Sequence, residues 1–210
     1  MKKATLLITV IFIGILTFSF LESNAQSGTM KSKNGFLLFY SSDSLNFTLR
    51  LDEPNTETPN WIDNNYLQLF KDRFYIQIID RESMIKINAP AKDYLSMLQK
   101  WETDYIESTM KPSVKRTTFI NDNNSIGLKF NDLKYNAWYY AVELNPGKLY
   151  FYFFDIYKNG HFIRITFNGS LDAARLFIPA ILKGLLFYNK KIDIKKLQYS
   201  LKNDQYSYSE

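Results

Sequence analysis

Apolar and polar residues alternate along many short segments of the chain, and this two-residue period predicts β-strands. In the two predicted strands nearest the C-terminus, 149–157 and 161–167, alternate residues are aromatic or β-branched, which suits a pleated surface. The predicted strands, in chain order, are 36–40, 45–51, 66–70, 74–79, 114–120, 126–130, 135–144, 149–157 and 161–167. Most are separated by short polar turns, which favours antiparallel pairing.

Two segments have the period of a helix. Residues 90–109 carry an apolar stripe at three- and four-residue spacing, with Pro90 in the first turn and Pro112 beyond the end. Its members are Tyr94, Leu95, Leu98, Trp101, Tyr105 and Ile106. A second helix is predicted after the N-cap Ser170 and reaches Leu185, with either a kink or a new helix at Pro179.

This order of elements predicts the α+β class, with a mostly antiparallel β-sheet, a long central helix and a C-terminal helix packed on the sheet. A single domain is expected over 35–188, because no change of composition divides it. Residues 26–34 are rich in Ser, Gly and Lys and predict a flexible leader. Residues 189–210 are expected to form a loosely packed, polar and basic tail.

The first 25 residues have the pattern of a signal peptide. Lys2 and Lys3 precede an apolar run from Leu6 to Phe20, and the small residues Ser23 and Ala25 form a cleavage site. The alternative is an uncleaved membrane anchor, which needs about 20 continuous apolar residues. The sequence therefore predicts an exported protein, periplasmic or extracellular, with no transmembrane segment in the mature chain.

The Asn159-Gly160 pair predicts a two-residue hairpin turn, since both central residues of that turn need a positive φ. Counting outward from it places Asp155 opposite Arg164. A four-residue loop at 145–148 would then place Trp138 opposite Asp155 and Tyr140 opposite Phe153.

One face of these strands is therefore aromatic, with an opposite-charge pair in its middle. If a helix or loop covers it, the Asp155–Arg164 pair only satisfies cross-strand electrostatics. If it is open, it resembles the floor of a ligand pocket. In that case the predicted ligand-binding residues are Trp138, Tyr140, Phe153, Asp155 and Arg164.

Composition removes several chemistries. The chain has no cysteine and one histidine, which excludes thiol catalysis, disulfides and a His-pair metal site. His161 is expected to be a surface or hydrogen-bonded residue, and no Gly-x-Ser-x-Gly motif accompanies it. No catalytic residue, metal ligand or cofactor is predicted, and the net charge of +5 without a basic recognition helix does not indicate nucleic acid.

The order of elements resembles the PsbP-like family. The resemblance rests on a strand with Phe47, Leu49 and Leu51, then Pro54 and Trp61, then hairpins, one long helix, a meander and a final helix ending near 185–187. It implies an exported α/β/α sandwich domain that binds or scaffolds, in a family with no shared catalytic signature.

The leading hypothesis is an exported, non-catalytic binding or assembly-assisting protein whose protein or small-molecule partner is unknown. It would use an exposed part of the aromatic face or the loop at 52–65. One alternative is an exported hydrolase with paired carboxylates. Another is a membrane-surface protein that binds through the lysines between Lys190 and Lys202.

Overall fold

The computed structural model describes residues 25–32, 35–52, 58–69, 74–80, 93–110, 114–124 and 133–202. In this part of the chain the fold is mixed α+β. The helices are α1 (Tyr94–Thr109), α2 (Leu171–Lys183) and α3 (Ile194–Lys202). The strands are β1 (Gln26–Ser32), β2 (Gly35–Ser41), β3 (Asn46–Leu51), β4 (Asn60–Asp63), β5 (Tyr66–Leu69), β6 (Phe74–Asp80), β7 (Ile120–Asn121), β8 (Lys134–Glu143), β9 (Lys148–Lys158), β10 (His161–Gly169) and β11 (Leu185–Tyr188).

The strands form two antiparallel sheets. The small sheet has the order β1-β2-β3-β11, and the large sheet has the order β4-β5-β6-β10-β9-β8-β7. The predicted hairpins β2–β3, β5–β6 and β9–β10 are confirmed by their pairing. Asn159 and Gly160 both have a positive φ, at 49° and 83°, as their hairpin turn requires.

Both sheets and helix α2 contribute to one large buried cluster. The small sheet supplies Leu38 and Leu49, the large sheet supplies Ile76 and Phe154, and α2 supplies Ile178. The opposite face of the large sheet carries a second cluster, which includes Trp138 and is joined by Ile106 of α1. The large sheet is therefore covered by apolar side chains on both faces, which explains its nearly continuous hydrophobic strands.

Helix α1 begins later than the sequence pattern predicts. Its N-cap is Asp93, whose carboxylate accepts hydrogen bonds from the backbone N–H groups of Leu95 and Ser96. These bonds satisfy donors that the first turn leaves without helical partners, which fixes the start at Tyr94. Pro90 and Pro112 lie outside the described residues.

The expectation of a flexible leader at 26–34 is wrong for residues 26–32, which form β1 and pair with β2 along their whole length. Gly28 makes this close pairing possible. A Cβ atom there would stand 2.7 Å from the ring of Phe39, so only glycine leaves room for that ring. The glycine at position 28 therefore reflects packing against an aromatic ring.

The expectation of a loose tail after residue 188 is also wrong up to the end of α3. Ile192 and Leu197 are buried and form an apolar cluster with Phe39 of β2. The backbone N–H of Ile192 donates to the hydroxyl of Ser41 at 3.0 Å. Apolar residues spaced among lysines therefore form the inner side of a short amphipathic helix.

The predicted strands at 114–120 and 126–130 are only partly found. A bridge joins Arg116 to Val142, and the regular pairing of this segment is limited to the two residues of β7. Residues 126–130 lie outside the described residues, as does the predicted signal peptide before Ala25. Among the helices that the structure describes, none has the length and apolar character needed to cross a membrane.

Candidate functional site

The five predicted binding residues all lie on the large sheet and are buried. Trp138 and Tyr140 are on β8, Phe153 and Asp155 are on β9, and Arg164 is on β10. The largest exposed fraction among them is 4%, at Phe153. The structure therefore brings these residues together, but within the protein interior.

The register differs from the prediction at one hairpin. Asp155 lies opposite Arg164 as predicted, but Trp138 lies opposite Phe153. The loop between β8 and β9 begins one residue earlier than expected, so that Glu143 pairs with Lys148. This moves the partners by two positions, and an even shift leaves every side chain on its predicted face.

Arg164 is the centre of a buried ionic network. Its Nε donates to Oδ1 of Asp155 at 2.7 Å, and its Nη2 donates to Oδ2 at 3.1 Å. Its Nη1 donates to Oε2 of Glu102 on α1 at 2.5 Å. The indole Nε1 of Trp138 also donates to Oδ2 of Asp155, at 3.2 Å. One guanidinium thus holds two carboxylates, and both are nearly inaccessible.

The charge on Arg164 is stabilised by its partners. Burial lowers the pKa of a guanidinium, but the charges and hydrogen bonds of Asp155 and Glu102 outweigh it and raise the pKa above its ordinary value. The guanidinium carbon also lies 5.2 Å from the ring centre of Phe153. Arg164 therefore remains a cation, although it is removed from water.

Glu102 is the functional neighbour that the sequence pattern misses, because a charged residue is normally assigned to the solvent side of a helix. It is 1% exposed. The signal is in the spacing, since Leu98, Glu102 and Ile106 are four residues apart and lie on one face of α1. A buried arginine on the facing sheet supplies the reason for an acid at that position.

For Trp101, the sequence pattern overestimates burial. The sequence pattern predicts it as a core residue, but it is only half-buried. Its ring stacks on Tyr105 with ring centres 6.1 Å apart. The buried face of α1 is thus rotated toward Glu102 and away from the aromatic pair.

Stacked rings surround the network. The rings of Trp138 and Phe153 stack with centres 4.1 Å apart, and those of Tyr140 and Phe151 stack at 4.9 Å. Phe119 forms T-shaped contacts with both Trp138 and Tyr140. These contacts fix the rings in one arrangement and contribute beyond the area that they bury.

Tyr140 carries an unusual polar atom. Its hydroxyl is buried and has no hydrogen-bond partner in the described parts of the chain. Burial raises the pKa of this hydroxyl above its ordinary value, and the charge of Glu102 adds to the effect while Arg116 opposes it. The group therefore stays a protonated phenol and acts here as an apolar ring with an unsatisfied hydroxyl.

An exposed aromatic platform is not present at these residues, because α1 contributes Glu102 and Ile106 directly over the sheet face. The arrangement matches the alternative in which a helix covers the face. Glu102 and Asp155 both accept hydrogen bonds from Arg164. Ligand binding by the five residues stays a prediction.

His161 has a hydrogen-bond partner from another turn. Its Nε2 lies 2.6 Å from the hydroxyl oxygen of Ser44, in the β2–β3 turn. The side chain of Asn159 donates to the carbonyl oxygen of the same serine at 3.1 Å. These bonds attach the β9–β10 turn to the small sheet. Within the described ranges, no group of three or more His, Asp or Glu side chains is arranged to hold a metal ion.

Comparison with known proteins finds no matching family model and no matching curated protein.

Proposed function

We propose that the chain is an exported binding or assembly-assisting protein, and that helix α2 carries its binding surface. The buried network around Arg164 then belongs to the scaffold that keeps this surface in place. The observation that carries the proposal is the exposure of Leu176, which at 69% is the largest among the exposed large hydrophobic residues of the described chain.

Leu176 is part of a continuous apolar stripe on α2. Phe177 is 37% exposed beside it, half-buried Ala173 lies one turn before it and exposed Ala180 lies one turn after it. Spacings of three, four and seven residues place all four on one side of the helix. Scattered exposed leucines are ordinary, but a contiguous stripe of this kind is typical of a contact surface.

Helix α2 is held rigidly, which suits a binding surface. Its Arg175 donates two hydrogen bonds to Asp122, at 2.8 and 3.1 Å. Asp122 also accepts a bond of 2.9 Å from the hydroxyl of Tyr152 on β9. At the other end of the helix, the backbone N–H of Arg50 donates to the carbonyl of Gly184 at 2.9 Å. A fixed helix loses little conformational freedom when it binds.

A photo-reactive amino acid at position 176 tests this proposal. The variant carries p-benzoylphenylalanine in place of Leu176 and is irradiated in the exported fraction of the producing cells. The matched control carries it at Leu186, which is 51% exposed on β11. We expect cross-linked adducts from position 176 and few from position 186. Equal yields from the two positions would exclude α2 as the binding surface.

We also propose the finer architecture that the PsbP-like resemblance implies, an α/β/α sandwich-like domain with a long central helix. The contacts of α1 on one face of the large sheet support it, as does the shared cluster on the other face. An experimental structure with α1 placed away from the large sheet would refute this arrangement.

A second candidate function is binding to an anionic membrane surface through α3 and the residues before it. Lys190, Lys191, Lys195 and Lys196 are all exposed. Leu197 on the other side of the helix is packed against the small sheet. The apolar side is therefore occupied, and such binding would be purely electrostatic.

Vesicle sedimentation separates this candidate from the first. Replacing Lys195 and Lys196 by Gln is expected to abolish binding to phosphatidylserine vesicles, and added salt should do the same. The control replaces Lys100 and Lys115, which lie outside α3, by Gln. If the two double variants bind equally, α3 does not direct the chain to the membrane.

A further inference from the structure

We propose that the α2 stripe binds the α2 stripe of a second copy of this chain, with the two helices antiparallel. This inference rests on the proposed function, since it names the partner of the surface described above. Three features of α2 support it: the symmetry of the stripe, the placement of two charges beside it, and the small residues at its ends.

The stripe is self-complementary. Leu176 and Phe177 form its centre, and Ala173 and Ala180 stand at equal distances on either side. When two such helices pack antiparallel across a two-fold axis, the bulky centre of one lies on the centre of the other, and each Ala173 faces the partner's Ala180. Small residues at the flanking positions allow the helices to approach closely around the larger side chains.

The charges beside the stripe favour the antiparallel orientation. Asp172 and Lys183 are both exposed, and neither forms an ion pair with a described residue. They are eleven residues apart, about three helical turns, so they lie on the same side of α2. Their midpoint falls within about one residue of the centre of the stripe. An antiparallel pair therefore places each Asp172 near Lys183 of the second copy. A parallel pair places the charged flanks of the two helices on opposite sides of the interface, where these charges do not meet.

The size of the stripe predicts a weak dimer. One exposed helix face buries less than the roughly 1,200–2,000 Å² of a standard stable interface. We therefore expect a dissociation constant on the order of 100 micromolar. Such an association would be populated at high local concentration, for example within a larger assembly.

Sedimentation velocity of the purified chain from about 1 micromolar to 1 millimolar measures this association. We expect the wild-type chain to shift from monomer to dimer across that range. Leu176→Asp should remain monomeric, because it buries a charge in the interface. Leu186→Asp alters a similarly exposed leucine outside the stripe and should dimerise like the wild type.

A mixing experiment tests the antiparallel geometry. Asp172→Lys alone and Lys183→Asp alone should each dimerise at least about tenfold more weakly than the wild type, since each places like charges opposite one another. A one-to-one mixture should recover dimers, because a heterodimer of the two variants has two opposite-charge contacts. Recovery by mixing also shows that both variants are folded.

A wild-type chain that stays monomeric at the highest concentration overturns the inference, and so does dimerisation that Leu176→Asp leaves unchanged. A mixture that shows no recovery overturns the antiparallel arrangement. If position 176 cross-links to a different protein while the purified chain stays monomeric, the proposed function stands and only the self-association fails. If position 176 gives no adduct in the cell, the proposed function fails as well.

Discussion

Arg164 links the aromatic face of the large sheet to helix α1, which covers that face. Arg164 is 1% exposed and draws Asp155 of the sheet and Glu102 of α1 into one network. Burying charges is costly unless each has a partner with good geometry. The network therefore requires α1 to stay over the sheet, which keeps Trp138 and Tyr140 inside the protein.

Replacing Arg164 by Met tests this dependence. It leaves two buried carboxylates without their cation, and the free energy of unfolding should fall by about 3–5 kcal/mol. The matched control is Lys100→Met on α1, whose ion pair with Asp104 joins side chains that are 75% and 59% exposed. The Lys100→Met substitution should change the free energy of unfolding by no more than about 0.5 kcal/mol. Urea denaturation measures both, and a loss of similar size in the two variants would contradict the role given to Arg164.

Tyr140 and Tyr152 are both buried in the large sheet, but their hydroxyl groups have different surroundings. Tyr140→Phe removes a hydroxyl that has no partner in the described chain and should leave stability unchanged or raise it by up to about 1 kcal/mol. Tyr152→Phe removes the donor to Asp122 and should cost about 1–2 kcal/mol. Chemical denaturation of both variants checks the contrast. A clear loss in Tyr140→Phe would show that its hydroxyl has an unrecognised partner, such as a bound ligand.

At the scale of elements, side-chain caps fix where the helices begin. Asp93 caps α1, and Ser170 caps α2 by accepting a hydrogen bond from the backbone N–H of Ala173 at 3.2 Å. The pKa of Asp93 is lowered from its ordinary value of 3.8, first of all by the hydrogen bond from the hydroxyl of Ser96. The carboxylate is thus favoured in the folded state, and its contribution depends on pH.

The two caps should respond differently to acid. A lowered pKa stabilises the fold above the ordinary pKa, and this stabilisation is lost as the pH falls through the folded value. Asp93→Ala should therefore cost about 1 kcal/mol at pH 7 and clearly less near pH 2.5. Ser170→Ala should cost about 1 kcal/mol at both pH values, because its hydroxyl does not titrate. Urea denaturation at the two pH values checks this, and a pH-independent cost at Asp93 would contradict it.

At the scale of the whole molecule, the segments at the two ends of the described chain complete the small sheet and cover it. Strand β1 forms one edge of that sheet, and α3 packs over Phe39 in its centre. The ordered domain therefore extends beyond 35–188 in both directions. Without α3, the outer side of Phe39 would be open to water.

Leu197→Ala tests whether α3 is part of the domain. Leu197 is 3% exposed, and its truncation should lower the free energy of unfolding by about 2–4 kcal/mol. Leu186→Ala changes a leucine that is 51% exposed and should cost less than about 1 kcal/mol. Thermal or urea unfolding of the two variants measures the difference. If both substitutions lower the free energy of unfolding by a similarly small amount, the segment around Leu197 is a loose tail.

Local chemistry made most of the elements predictable from the sequence. Asn159 and Gly160 determine the turn and register of β9 and β10, because few other residue pairs adopt their conformation. Ser170 marks the start of α2, and two-residue alternation determines which side chains share each face of the large sheet. These features depend on residues close together in the chain.

Only the tertiary structure decided which faces are covered and which remain open. Glu102 resembles a solvent-side residue until Arg164 is placed beneath it, and the lysine-rich segment around Leu197 resembles a tail until Phe39 is placed beside it. Leu176 is an apolar residue that stays 69% exposed, because no described part of the chain covers it on α2. In each case the deciding contact joins distant parts of the chain, and burial depends on those contacts more than on the residue's own polarity.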